Sequence, residues 1–287
     1  LINGTFDGNF KYSTIPQTVT SMLQNYLPAL SGKNVIRKLK TNGGDNHIDI
    51  DLTINDTKLL SDVLELPFTL DGTTSVKGYL DELSQLLEIR AETPYLSFGK
   101  RKIQDILVNV NNADMQLNLA ASGKYNFATD FLNLNLKASA SNDSLYTQLA
   151  WQNNDSILNA GELQASTRFF KENDLTSARI NINPTQFILS DSVWDIGASQ
   201  ITVNPDSTLD IQKFKIHKND QYILIDGLLS RNNSDVLEVE MNEIDIDYIL
   251  SLIRFNPISV KGKATGIASI HGVLRQPIFE SNLFVKN

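Results

Sequence analysis

The chain has 287 residues, a formal charge of −8 and no cysteine. The acidic balance argues against a nucleic-acid binder, which needs a concentrated basic face, and the missing thiols exclude disulfides, thiolate catalysis and Cys-based zinc or iron–sulfur sites. A hydrophobic share of 41% with 8% aromatics indicates a folded chain.

Gly4–Tyr12 reads as a strand with Phe6 and Phe10 on one parity. From Pro16 to Leu27 a helix is expected: proline suits the first turn, Val19, Met22, Leu23, Tyr26 and Leu27 recur at helical spacing, and Pro28 stops it. Such an apolar stripe must be buried, and one end of a sheet is a natural place. Ser31–Asp45 reads as a loop broken by Gly43-Gly44. Ile48, Ile50, Leu52 and Ile54 then alternate without a fault with Asp49, Asp51, Thr53 and Asn55, which predicts a strand with one apolar and one polar face. Ile106, Val108 and Val110 followed by Met115, Leu117 and Leu119 predict a hairpin about Asn111-Asn112-Ala113-Asp114. Leu132, Leu134, Leu136, Ala138 and Ala140 alternate as cleanly, and Asn142-Asp143 and Asn153-Asn154-Asp155 read as turns. Ile157–Phe170 and Val236–Met241 are further strands.

An internal repeat accompanies this pattern. Residues 59–78 and 249–268 align without gaps, matching Leu60 to Leu250, Ser61 to Ser251, Pro67 to Pro257 and Gly72 to Gly262. Each copy follows an alternating strand and an acidic residue, Asp56 or Asp247. The unit reads as strand, helical turn, strand, glycine kink, strand, the kind of module that stacks into an elongated sheet.

No chemistry-bearing motif emerges. His47, His217 and His271 lie far apart and outside any metal-binding spacing, and there is no nucleophile elbow, phosphate loop or dinucleotide fingerprint. Asp49/Asp51 and Asp245/Asp247 each place two carboxylates on one strand face, as a glycosidase or a Ca²⁺ site could use. With an apolar opposite face and no glycine turn behind them, a solvated polar face is the better reading. Lys33, Arg37, Lys38 and Lys40, and Lys100-Arg101-Lys102, could meet phosphate headgroups but suit solvated loops. The expectation is therefore no catalytic residue, no metal and no cofactor. No apolar run approaches the roughly 18–20 residues that span a bilayer. The chain opens without Met or a signal peptide and reads as an internal piece of a larger protein.

The stretch Ser177–Ser230 is a run of strands with faults in it. Ile180 and Ile182 alternate until Pro184 interrupts; Trp194, Ile196 and Ala198 share one parity while Ile201 and Val203 share the other, which predicts a kink between Ala198 and Ile201. Asn204-Pro205-Asp206 turns the chain, the parity changes again between Ile211 and Phe214, and Asn219-Asp220 turns into Tyr222–Gly227. The order Ile-Asn-Pro-Thr-Gln-Phe-Ile-Leu-Ser-Asp-Ser-Val-Trp-Asp-Ile over 182–196, then a strand, then Gln221–Gly227, resembles the TamB branch of the AsmA-like superfamily in its Bacteroidetes form. The likeness runs on through Asp235–Asn287 and back to about Ile48.

The fold expected is all-β: an elongated, curved, mostly antiparallel sheet with one or two short helices, forming a single segment over 1–287. The resemblance implies a U-folded sheet with an apolar groove, in a periplasmic protein anchored to the inner membrane by parts outside this segment. It further implies a role in outer-membrane biogenesis, carrying phospholipid or another acyl-chain lipid between the membranes. An outer-membrane barrel assembly protein is the implied partner. The groove would be lined by Ile48, Ile50, Leu52, Ile54, Leu132, Leu134 and Leu136. Alternation alone fits equally a closed β-sandwich, such as an adhesin or carbohydrate-binding module, whose two apolar faces pack against each other. In the curved sheet Trp194 is expected to be largely buried with its indole N–H paired, whereas in an adhesin it would be exposed.

Overall fold

The computed structural model describes residues 2–30, 46–55, 68–99, 101–127, 130–245 and 262–286. Among these the fold is all-β and antiparallel, with one short α-helix. The chain divides into two compact units, Leu1–Gln164 with Arg168–Asp174, and Ala165–Thr167 with Leu175–Asn287.

The first unit contains β1 (Ile2–Asn9), α1 (Ile15–Tyr26), β2 (His47–Ile54), β3 (Thr69–Asp71), β4 (Thr74–Asp81), β5 (Leu86–Phe98), β6 (Arg101–Asn111), β7 (Leu117–Phe127), β8 (Asp130–Ser141) and β9 (Ser144–Gln152), followed by β10 (Ala160–Glu172), most of which belongs to this unit. Pairing runs β1–β2–β4–β5–β6–β7–β8–β9, each neighbour antiparallel. The strands β3 and β4 share β5 as partner and are two parts of one strand, interrupted at Gly72. Gly72 has φ +90°, and a Cβ there would press on the Pro94 ring at 3.1 Å. The hairpin predicted about 111–114 closes through a short 3₁₀ turn at Ala113–Met115. Asn142 and Asp143 both take positive φ, 49° and 58°, the geometry whose twist suits a two-residue hairpin.

The helix α1 lies one residue from its predicted limits. Pro16 stands in its first turn, and its backbone ends in a short 3₁₀ turn at Pro28–Leu30. Two strands are shorter than expected. The strand β1 stops at Asn9, because the Lys11 N–H turns to the Asn46 side chain and Thr14 folds back on Lys11. The strand β10 begins at Ala160 rather than Ile157, because Asn153 clasps the loop: its Nδ2 donates to Ile157 O, and its Oδ1 accepts from Asn159 N–H.

The second unit contains β11 (Leu175–Ile182), β12 (Thr185–Leu189), β13 (Ser192–Ile196), β14 (Ser199–Val203), β15 (Leu209–Lys218), β16 (Gln221–Leu229), β17 (Val236–Asp245), β18 (Lys263–His271) and β19 (Ile278–Lys286). The hairpin β12–β13 is nested inside the pairing of β11 with β14, and β15 runs along both β14 and the end of β13. A plain meander follows, β15–β16–β17–β18–β19.

The parity change read between Ile211 and Phe214 is a β-bulge at that place, with Lys213 at φ 51°. The kink expected after Ala198 falls slightly earlier: the chain leaves the ladder at Gly197–Ala198, where Gly197 N–H bonds Lys215 O at 2.9 Å. Trp194 stands opposite Phe187 on β13 and is mostly but not fully covered. Of the repeat, Gly72 and Gly262 are described and both take positive φ; 59–67 and 249–261, the acidic residues Asp56 and Asp247, the loop 31–45 with its basic cluster, and Lys100 lie outside the described residues.

Candidate functional site

The register of the first unit collects its alternating residues on one face. Leu52 stands opposite Val76, and the row continues strand by strand through Ala91, Val108, Ala121 and Leu136 to Leu149. The two segments singled out in the sequence, 48–54 and 132–136, thus share a face, and Leu52 and Leu136 share a row. One row along, Phe6, Ile50, Gly78, Ile89, Val110 and Leu119 follow each other in the same way. Leu134 lies between Gly123 and Trp151, and Leu132 opposite Tyr125. The other face is polar. Asp51 meets Lys77 at 3.1 Å, Arg90 meets Glu92 at 2.7 Å, and Asn133, Asn135 and Lys137 continue it on β8. The pair Asp49/Asp51 is thereby part of this polar face, Asp51 paired with Lys77 and Asp49 lying 3.7 Å from His47 Nε2. Among the described residues no group of three acidic or histidine side chains is placed to hold a metal.

Cover on the apolar face is uneven. Ile48 is 1% exposed, Leu80 3% and Leu87 5%, because α1 lies on them through Met22, itself 2% exposed, flanked by Ile15 and Val19. Ile50, Leu52, Ile54, Leu132, Leu134 and Leu136 are only half-buried. Of the seven groove residues expected from the sequence, Ile48 is therefore the exception: it belongs to a small closed core under the helix. The strand after the Gly72 kink, β4 with Val76, was read from the repeat, but β5, with Leu87, Ile89 and Ala91, was not anticipated. Its signal was present in Leu87, Ile89 and Ala91 alternating with Glu88, Arg90 and Glu92, but Gly78 and Pro94 blur the neighbouring pattern.

Polar groups fasten the helix across the strand ends. Glu82 Oε2 accepts from the Thr18 hydroxyl at 3.0 Å and from Asn46 Nδ2 at 2.8 Å. Asn46 Nδ2 also reaches Thr18 Oγ1, with both residues buried. Further along, Asn25 Nδ2 donates to Gln85 Oε1 at 2.8 Å, Asn112 Nδ2 to the Tyr26 hydroxyl at 3.1 Å, and Asp143 N–H to Tyr26 O at 2.9 Å. The contacts of Thr18, Asn46 and Asn112 satisfy polar atoms that the helix would otherwise strand beside an apolar surface, whereas the Asn25–Gln85 bond is exposed. Close by, Ser84 N–H and hydroxyl, then His47 and Tyr79, hold the Asp81 carboxyl down at about 2.

The second unit repeats the division of faces. Ile201, Ile211, Gly227, Leu237, Ile270 and Phe279 form one cross-strand row, and Ile196, Ile216, Ile223, Met241, Gly266 and Leu283 another. On the reverse, Tyr222 donates to Glu240, which raises the phenol's pKa.

No family model, curated protein or solved structure matches this chain. What the arrangement offers chemically is apolar contact: broad rows of aliphatic side chains, half open, with the buried Thr74–Thr93 hydroxyl pair among them and charged groups on the reverse face.

Proposed function

We propose that the chain is a segment of an envelope-spanning carrier that moves acyl-chain lipid over its apolar face. The observation that carries this reading is the half-burial of Ile50, Leu52, Ile54, Leu132, Leu134 and Leu136 on one face of the sheet. The facing sheets of a closed sandwich would bury such residues almost completely. An acyl chain laid on these rows gains about 0.8 kcal/mol for each CH₂ removed from water, while its headgroup stays wet. The sequence resemblance to the TamB branch supports the same assignment and supplies its setting. The full-length protein sits in the periplasm, anchored to the inner membrane, carries phospholipid toward the outer membrane, and works with an outer-membrane barrel assembly protein.

Leu134→Lys tests the reading. On an open face the lysine stem stays on the aliphatic wall and the ammonium reaches water, so the variant folds. The wild type purified from a bacterial host yields lipid on solvent extraction and mass spectrometry, and the variant yields much less. An unfolded variant, or a wild type that carries no lipid and binds no fluorescent fatty acid, would instead favour a closed sandwich of the adhesin type.

A further inference from the structure

In the second unit five strands lose their regularity at the same level. The strand β11 ends at Ile182 before Asn183-Pro184, β13 and β14 part at Gly197–Ala198, β15 bulges between Ile211 and Phe214, and β16 takes φ +114° at Gly227. These faults lie side by side. Asn181 stands opposite Gln200, Gln200 opposite Gln212, and Asp226 sits against the bulge, its Oδ1 accepting the Lys213 N–H at 2.8 Å. The result is a cleft of ≈ 660 Å³ on which Asn181, Asn183, Gln200, Gln212, Lys213 and Asp226 converge, within the size range of small-molecule sites. Asn181, Gln200 and Gln212 stand on the side of the row opposite to Ile180, Ile201 and Ile211, while Ile182 and Ser199, which share the parity of Ile180 and Ile201, enter the lining where the strands part, beside Pro184 and Ala198.

The chemistry of the lining is specific. Gln200 Nε2 donates to Gln212 Oε1 at 3.4 Å, and Gln212 Nε2 to Asp210 Oδ2 at 3.1 Å, which orients both amides. Asn181, Asn183 and the Lys213 ammonium have no side-chain partner among the described residues. Ser199 also lines the cleft, and its hydroxyl, in a residue only 8% exposed, has no partner. Lys213 holds φ 51°, where glycine or asparagine would sit without strain.

We propose that this cleft binds a neutral saccharide through its hydroxyl groups. Carboxamides donate and accept side by side, as hydroxyls do. Lys213 and Asp226 balance in charge, so no net charge is selected. The lining includes no aromatic residue, so recognition comes from hydrogen bonds rather than ring stacking. The amides recur once per strand, about 4.8 Å apart, close to the length of one pyranose ring, so an extended glycan laid across the strands meets a new side chain at each sugar. A free glycan and the sugar head of a glycolipid present the same chemistry.

The test follows the side-chain NH₂ resonances of Asn181, Gln200 and Gln212 in the isotope-labelled chain. Maltotriose, mannotriose and galactotriose are added in turn, and then digalactosyl diacylglycerol in micelles. Saturable shifts at these amides are expected, weakened about tenfold or more in Gln212→Ala and in Lys213→Gly. The glycine variant relieves backbone strain and keeps the fold, so its loss of binding reads the ammonium alone. Shifts with a trisaccharide assign a free glycan; shifts with the glycolipid alone assign a headgroup. No saturable shift with any probe, or shifts that persist unchanged in both variants, overturns the proposal. Glycolipid shifts confined to apolar-face residues such as Ile201 and Leu237 overturn it as well, while leaving the lipid-carrier reading standing; absence of lipid from the apolar face leaves the saccharide site untouched.

Discussion

Ile48 and Ile54 belong to the same strand, the same face and the same alternating run, yet one is closed in and the other half open. The difference is α1. Where the helix lies, Met22, Ile48, Leu80 and Leu87 form a small core; a few residues along each strand the same kind of side chain has no such cover. Apolar alternation therefore specifies a face, and a separate element decides how much of that face is available.

The strongest test of this contrast exchanges one charge between the two places. Ile48→Lys puts an unpaired ammonium under the helix and should cost about 3–5 kcal/mol, enough to unfold a marginal unit, whereas Leu134→Lys should lose about 1 kcal/mol. Urea titrations of the two variants measure this, and equal losses would abolish the distinction. Next in size, Met22→Ala should cost about 2–4 kcal/mol and speed amide exchange in α1 before it does so in β8.

Removing the latch should act more mildly. Glu82→Ala leaves Thr18 and Asn46 without their shared acceptor, a loss of about 1–3 kcal/mol, visible as reduced exchange protection of α1; a helix unchanged by it would mean that apolar contact alone holds the cover. Acid should loosen the same corner. The Asp81 carboxyl is held at about 2, below its ordinary value, so its contribution is complete above about pH 4 and disappears as the pH falls through 2. Asp81→Asn should flatten stability against pH in that window, and an unaltered acid limb would show that Asp81 plays no part. The smallest effect is expected at Gln85, which holds φ 56° while bonding Asn25. In Gln85→Gly, relief of about 1 kcal/mol of backbone strain offsets the lost exposed bonds, leaving a net change within about 0.5 kcal/mol. A thermal melt decides it.

Much of the fold could be read before the structure. The alternation at 48–54 and 132–140 gave two strands and their common polarity, and the parity fault between Ile211 and Phe214 gave a bulge, because a period-two pattern cannot slip without changing faces. The helix was legible from its proline boundaries and 3.6-residue stripe. Its cover over Ile48 was not, since nothing local to Ile48 differs from Ile50. The bulges between Gln104 and Leu107 and between Met241 and Ile244 were not read from the sequence, although Val239 and Met241 change parity to Ile244 just as Ile211 does to Phe214. The row Asn181–Gln200–Gln212 was invisible for another reason: it exists only once three strands are in register, and each residue alone looks like an ordinary polar face.

Within each unit, most strands bond to the strand next along the chain; α1 between β1 and β2, and the nested hairpin inside β11 and β14, are the main departures. Contacts so local in sequence close only short loops, and the entropy of closing them is small. Such a sheet can assemble by zipping, each new hairpin docking on a template already formed, from the N-terminus onward as the polypeptide emerges from a ribosome or a translocation pore. The exception then sets the timing: the 46–55 strand must wait for α1 to fold back, so β1 is the one early strand whose partner arrives late.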